Sequence, residues 1–87
     1  MNISYTSRFL RSFKKLNPLI QEDSYKSIDL FKNKSNHPKL SLHKLKGKLS
    51  KKYSFSVNYS HRVILEISGD EAIFLDIGDH SMYENFS

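Results

Sequence analysis

The second half of the chain alternates apolar and polar residues in the way that half-buried β-strands do. Three such stretches follow one another: YSFSVNY at 53–59, RVILEIS at 62–68 and EAIFLDIG at 71–78. The last two are separated only by Gly69 and Asp70, a pair that favours a tight hairpin turn. We therefore predict an antiparallel meander of three strands.

The third of these strands has an apolar residue at nearly every position. Ile73, Leu75 and Ile77 alternate with Phe74 and Asp76. Because successive side chains of a regular strand point to opposite faces of the sheet, we expect the first three to share one face.

The first half has the pattern of a short strand followed by two helices. Residues 3–5 alternate as a strand does, and Thr6 suits the N-cap of a first helix. Its apolar residues recur at helical spacing: Phe9, Leu10, Phe13 and Leu16. Asn17 and Pro18 suit the start of a second helix, which we expect to end near Lys34. Its predicted apolar stripe is Ile20, Ile28 and Phe31, with Tyr25 or Ser24 between them.

Together these elements predict an α+β fold in a single domain, residues 1–87. An N-terminal strand and an antiparallel helical hairpin pack on an antiparallel β-sheet, in the order β-α-α-β-β-β. A lysine-rich segment, KLSLHKLKGKLSKK at 39–52, joins the two halves. We expect its four leucines to hold it to the core while its six lysines face solvent.

Composition narrows the classes of function. The net charge of +5 suits a polyanion or an acidic protein as partner, and it equally suits a solvated, lysine-rich surface. The absence of cysteine excludes disulfides, thiolate zinc sites and cysteine nucleophiles. No apolar run approaches the ~20 residues of a membrane span, and MNISYTSRFLRS is too polar for a signal peptide. We expect a cytoplasmic protein that does not enter a membrane.

Five residues could perform chemistry: His43, His61, Arg62, His80 and Tyr83. In an antiparallel meander, the start of the second strand lies beside the end of the third. Arg62 and His80 are therefore expected to be neighbours at one edge of the sheet. His43 reaches that edge only if the lysine-rich segment folds back across the sheet, which the sequence leaves open.

Such a set has the groups that metal-free RNA cleavage needs. Histidine can act as acid or base near neutral pH, arginine holds phosphate in a fixed fork, and an aromatic ring can stack on a base. Five lysines would attract the RNA backbone: Lys44, Lys46, Lys48, Lys51 and Lys52. The structural alternatives are a histidine that only caps a strand end, and an Arg62 that only pairs with Glu66 or Asp79. A metal site is disfavoured because no two histidines have the close spacing of a helical site.

Two motifs and their order resemble a known superfamily. HKLKG at 43–47 has the form H-x-L-x-G, and IGDHSMY at 77–83 has the form I-G-x-H-x-x-Y. With HRVILEI at 61–67 between them, they resemble the RelE/ParE superfamily of type II toxin–antitoxin toxins, from Ile3 to Tyr83. The motifs are most similar to the RelE-type mRNA interferases, in particular the YafQ-like and YoeB-like branches.

The resemblance implies an endoribonuclease toxin that enters the ribosomal A site and cuts mRNA through the 2′-hydroxyl, without metal or cofactor. A cognate antitoxin would wrap the toxin and block it. Matched by motif, Arg62 binds the phosphate, His80 is the general acid, and His43 or His61 is the general base. Tyr83 corresponds to a C-terminal aromatic residue that often lies one position further along.

The chain departs from the family pattern at several positions. Lys39 stands where YoeB-like members have a carboxylate, and His61 where YafQ-like members have an aspartate. Ser54 and Ser56 stand where RelE has lysines. Two alternatives therefore remain: a ParE-like inhibitor of DNA gyrase, which shares the fold without the histidines, and a decayed toxin that only binds its antitoxin.

Overall fold

The computed structural model describes residues 1–86, with side chains through Glu84, as five strands, two α-helices and three 3₁₀ helices. The strands are β1 (Asn2–Tyr5), β2 (His43–Lys44), β3 (Tyr53–Ser56), β4 (Arg62–Ser68) and β5 (Glu71–Gly78). The α-helices are α1 (Ser7–Lys14) and α2 (Pro18–Phe31). The 3₁₀ helices are η1 (Lys34–Leu40), η2 (Gly47–Leu49) and η3 (His80–Phe86). None of the described helices is long and apolar enough to cross a membrane.

The predicted helix starts are confirmed. The Thr6 hydroxyl accepts the backbone N–H of Phe9 at 3.1 Å, and the Asn17 side chain accepts that of Ile20 at 3.0 Å. The second helix ends at Phe31, before the predicted end near Lys34. The reason is Asn33, which leaves the helical conformation and caps η1 by accepting a bond from the backbone N–H of Ser35.

The predicted meander of β3, β4 and β5 is also confirmed, within a five-stranded sheet of order β1-β5-β4-β3-β2. The sheet is mixed because β1 pairs with β5 in parallel. β3 stops at Ser56, short of the predicted residue 59, because the chain turns at Asn58. The lysine-rich segment does fold back, since β2 pairs antiparallel with β3.

The expected alternation along β5 is wrong. Ile64 pairs with Asp76 and Leu65 with Phe74, so Leu75 is an extra residue that has no partner in the β4–β5 ladder. Such a bulge reverses the facing of the side chains beyond it. Ile77 therefore lies in the same core cluster as Phe74, while Ile73 is 41% exposed.

Aromatic rings fill the core between the helices and the sheet. Phe31 stacks on Phe55 with ring centroids 5.0 Å apart and meets Phe74 edge-on at 5.3 Å. All three rings are fully buried. His37 is partly buried, stacks on Phe31 at 4.5 Å and donates its Nε2–H to the Phe31 carbonyl, so it packs on the edge of the core. Of the two candidates on α2, Ser24 is the buried one, and Tyr25 is exposed.

The opposite face of the sheet is covered as well, by η3. Ile64 and Ser54 point to this face and are fully buried, and Met82 of η3 is buried with them. The sequence pattern predicted a cover of helices on one face only. This second cover matters because η3 begins at His80, so its packing places that exposed histidine beside Arg62 at the edge of the sheet.

Replacing Phe31 by alanine is expected to lower the free energy of unfolding by about 3–5 kcal/mol, because it removes the ring that contacts both Phe55 and Phe74. Urea unfolding monitored by circular dichroism measures the change. Leu19→Ala is the matched control, since Leu19 is 75% exposed on α2 and its loss should change stability by less than ~0.5 kcal/mol. Equal losses in the two variants would contradict the proposed core.

Candidate functional site

The register of the sheet places several polar side chains on the face that η3 covers. Arg62 pairs with Ser56 on one side and with Gly78 on the other. His43 of β2 lies opposite Ser54 of β3. Directly paired residues share a face of the sheet, as do residues two apart on one strand. His43, Ser54, Ser56 and Arg62 therefore all project from this face.

Two cavities open on this face, and they share two lining residues, Arg62 and His80. The first, which we call the β2-side cavity, has a volume of about 330 Å³. It is lined by His43, Leu45, Lys46, Leu49, Arg62, His80 and Tyr83. The second, the turn-side cavity, has a volume of about 480 Å³. It is lined by Tyr59, Ser60, Arg62, Asp79, His80 and Ser81.

The structure thus brings together four of the five predicted site residues: His43, Arg62, His80 and Tyr83. His61 is separate. It lines a different depression with Ser12 and Lys15, and its Nδ1 meets the Ser60 hydroxyl at 2.8 Å. The reason is that consecutive residues at the start of a strand point in opposite directions, so His61 and Arg62 diverge.

The five predicted lysines are dispersed around this region. Lys46 lines the β2-side cavity, and three others are exposed on the same segment: Lys44, Lys48 and Lys51. Lys52 is partly buried and pairs with Glu66 at 3.8 Å. No three histidine, aspartate or glutamate side chains among the described residues are arranged to hold a metal ion.

Two serines hold the predicted site residues in place. The Arg62 guanidinium donates from Nη1 to Ser56 Oγ at 2.9 Å. The fully buried Ser54 hydroxyl bonds the Tyr83 hydroxyl at 3.0 Å, and the Tyr83 ring meets His80 edge-on with centroids 5.5 Å apart. Neither serine is among the site residues that the sequence predicts. Their position on β3 is the only signal, since residues 54 and 56 must share the face of Arg62.

His43 has a defined tautomer in this arrangement. Its Nδ1 lies 3.0 Å from the Ser41 carbonyl oxygen, which can only accept, so Nδ1 bears the proton. The neutral ring then has its lone pair on Nε2, where it can take a proton.

Asp79 fixes the start of η3. Its carboxylate accepts the Ser81 hydroxyl at 2.6 Å and the Ser81 backbone N–H at 3.0 Å. These two bonds lower the pKa of Asp79, and the charges of His61 and His80 lower it further. The capped turn sets the direction in which His80 leaves β5.

The comparisons with known proteins establish the fold. No protein-family model and no curated protein matches the chain. A copper-bound mutant toxin from Helicobacter pylori is 24% identical with a TM-score of 0.77, over 94% of this chain and 97% of that one. RelE in the RelB–RelE antitoxin–toxin complex from Methanococcus jannaschii is 20% identical with a TM-score of 0.76, over 97% of this chain and 98% of that one.

A YafQ mutant from E. coli is 16% identical with a TM-score of 0.70, over 94% of this chain and 96% of that one. At these identities the likeness concerns the fold. The resemblance to RelE-type toxins that the motifs indicated is thus confirmed at the level of fold over nearly the whole chain.

Ser81→Ala is expected to raise the pKa of Asp79 towards its ordinary value of 3.8, because the hydroxyl bond is the largest cause of the lowering. A pH titration of the side-chain carboxyl carbon by NMR measures it, with Ser68→Ala at the far end of β4 as control. Since the pKa of Asp79 is lower in the folded than in the unfolded chain, its contribution to stability is present above pH ~4 and is lost as pH falls. An unchanged pKa in Ser81→Ala would contradict this account of the cap.

Proposed function

We propose that this chain, which has the fold of RelE-type toxins, is the toxin of a type II toxin–antitoxin system and cleaves mRNA on the ribosome without a metal ion. The supporting observation is that His43, Arg62, His80 and Tyr83 line one cavity. The histidines favour this function over gyrase inhibition of the ParE type, which uses the fold without them. They also favour it over a decayed toxin.

Arg62 is the proposed phosphate clamp. A guanidinium has five N–H donors in a fixed fork and stays protonated, so it can bind a phosphate while one donor engages Ser56. As the 2′-oxygen attacks phosphorus, negative charge grows on the non-bridging oxygens. A positioned cation stabilises that charge more in the transition state than in the ground state.

The two histidines of the β2-side cavity are the proposed base and acid. His43 accepts the 2′-hydroxyl proton on Nε2, the 2′-oxygen bonds to phosphorus, and the bond from phosphorus to the 5′-oxygen breaks. A protonated His80 gives its proton to that leaving 5′-oxygen. The products are a 2′,3′-cyclic phosphate and a free 5′-hydroxyl. Tyr83, held by Ser54, orients His80 through its ring edge.

The lysines and the net charge of +5 suit the proposed partners. Lys46 in the cavity and its exposed neighbours would attract mRNA in the ribosomal A site. A toxin that acts there would work in the cytoplasm. A cognate antitoxin is the proposed protein partner. RelE from Methanococcus jannaschii forms a complex with RelB, and a basic toxin suits an acidic partner.

Replacing His80 or Arg62 by alanine is expected to relieve growth arrest and to lower mRNA cleavage by about 10²–10⁴-fold, because each variant loses a group that acts in the transition state. Induced expression and primer extension on a reporter mRNA measure the two effects. Arg11→Ala, on the exposed face of α1, is the control and should remain toxic. Urea unfolding shows that each variant is folded. The proposal fails if both site variants stay fully toxic.

His43→Ala is expected to lower cleavage by about 10²–10⁴-fold and His61→Ala by less than ~10-fold, because only His43 shares the cavity with Arg62 and His80. Purified ribosomes with a defined mRNA in the A site provide the assay. If His61→Ala loses cleavage activity and His43→Ala keeps it, His61 and not His43 is the general base.

A further inference from the structure

Tyr59 is the one large apolar or aromatic side chain of the described residues that is fully exposed. Its exposure is 103% of the reference value, and every other large apolar or aromatic side chain among those residues keeps part of its surface covered. It belongs to the turn between β3 and β4, and it lines the turn-side cavity with Arg62 and His80. An exposed aromatic ring and an arginine in one cavity are the combination that single-stranded nucleic-acid sites use.

Hydrogen bonds within the turn and to α2 fix the turn that contains Tyr59. Asn58 Oδ1 accepts the backbone N–H of Ser60 at 2.9 Å and that of His61 at 2.8 Å. Asn58 Nδ2 donates to Asp23 of α2 at 3.2 Å, and Val57 N donates to the His61 carbonyl at 2.9 Å. Tyr59 is therefore displayed on a preorganised support, so a ligand that stacks on it orders little else on binding.

The relation between the two cavities suggests what that ligand is. They meet at Arg62 and His80, the pair proposed to act on the phosphate. A phosphodiester in a chain has one nucleoside on each side. If the phosphate binds at the shared wall, one nucleoside lies in the β2-side cavity near Tyr83 and the other in the turn-side cavity near Tyr59.

The lining of the turn-side cavity favours a base over a second phosphate. Asp79 contributes a carboxylate there, which would repel another phosphate. The Ser60 and Ser81 hydroxyls already donate their protons within the chain, and their remaining lone pairs can accept a bond from a ribose hydroxyl or from an N–H on the edge of a base. A volume of about 480 Å³ is in the range of sites that hold small ligands.

We propose that Tyr59 is the stacking platform of a second nucleobase subsite, in which the base of a single-stranded RNA lies against the ring on the Asp79–Ser81 side of the scissile phosphate. The proposal rests on the proposed function and adds to it a binding site that the RelE-like motifs do not include. The ligand class is a nucleobase of single-stranded RNA. The polar groups that line the turn-side cavity, from Ser60, Asp79 and Ser81, would determine which base binds.

Binding of a short, fully 2′-O-methylated single-stranded RNA tests the subsite, because methylation blocks the nucleophile and leaves the bases free. Fluorescence anisotropy of the labelled RNA gives Kd for each variant. Tyr59→Ala is expected to weaken binding by about 5- to 150-fold, the range for loss of one base–aromatic stack, while Tyr59→Phe stays near wild type. Tyr25→Ala, which removes an exposed ring of α2, is the control and should leave Kd unchanged.

Abasic probes then locate the subsite. Removing a base that stacks on Tyr59 should abolish the difference between wild type and Tyr59→Ala, and removing the base on the other side of the central phosphate should preserve it. If the ratio of Kd between Tyr59→Ala and wild type is the same for every abasic position, the assignment of Tyr59 to one base is overturned.

Tyr59→Trp supplies a direct readout, since the chain has no tryptophan of its own. Saturating RNA should quench its fluorescence, whereas the same RNA should leave Tyr25→Trp unquenched. An unquenched Tyr59→Trp, or a Tyr59→Ala that binds as wild type does, overturns the subsite. If Arg62→Ala and His80→Ala still abolish cleavage, the proposed function survives that result. A wild-type chain that neither binds the RNA nor cleaves mRNA would overturn both.

Discussion

The pairing of β4 with β5 is the constraint on which the rest of the structure depends. The ladder runs from Arg62 opposite Gly78 to Ser68 opposite Glu71, and the two-residue turn at Gly69 and Asp70 sets its register. Gly69 adopts a φ of +59°, which glycine tolerates without strain. A slip of one residue would turn Arg62 away from η3 and move Val63 and Leu65 out of the core. The hairpin therefore determines the core and the candidate site together.

The bulge at Leu75 reconciles two demands on β5. In the first half of the strand, Phe74 is buried under the helices. In the second half, Ile77 is buried on that same face, and the strand then leads to His80 on the opposite face. A regular strand could not place Phe74 and Ile77, three residues apart, on one face. The extra residue shifts the alternation by one, and the Leu75 carbonyl it frees accepts the Thr6 hydroxyl at 2.9 Å. The bulge thus ties the start of α1 to the strand that leads into the site.

The candidate site depends on support from both faces of the sheet. The rings of Phe31, Phe55 and Phe74 fix β3 and β5 from the helical side. On the other side, Ser54 and Ser56 of β3 hold Tyr83 and Arg62 by hydrogen bonds. Short serines suit this task because they leave an open cavity in front of the arginine, where longer side chains would fill it. The arginine and the lysines of the candidate site therefore lie in an open cleft whose base is a sheet packed on both faces.

The sequence by itself determined what local patterns control: four of the five strands, the caps of both helices, the hairpin turn, and the neighbourhood of Arg62 and His80, which follows from strand order alone. Only the tertiary structure decided the features that depend on distant pairing. His43 joins the site because β2 pairs with β3, and Leu75 leaves the ladder where β5 changes the face to which its side chains point. Ser24 rather than Tyr25 is buried because α2 turns that side of the helix towards the core, where Ser27 donates to the Val57 carbonyl. His61 and Arg62 are neighbours in the chain and diverge in space, since strand geometry turns consecutive side chains apart. Local patterns fix which elements form and where the helices begin, whereas contacts between residues far apart in the chain fix which side chains meet.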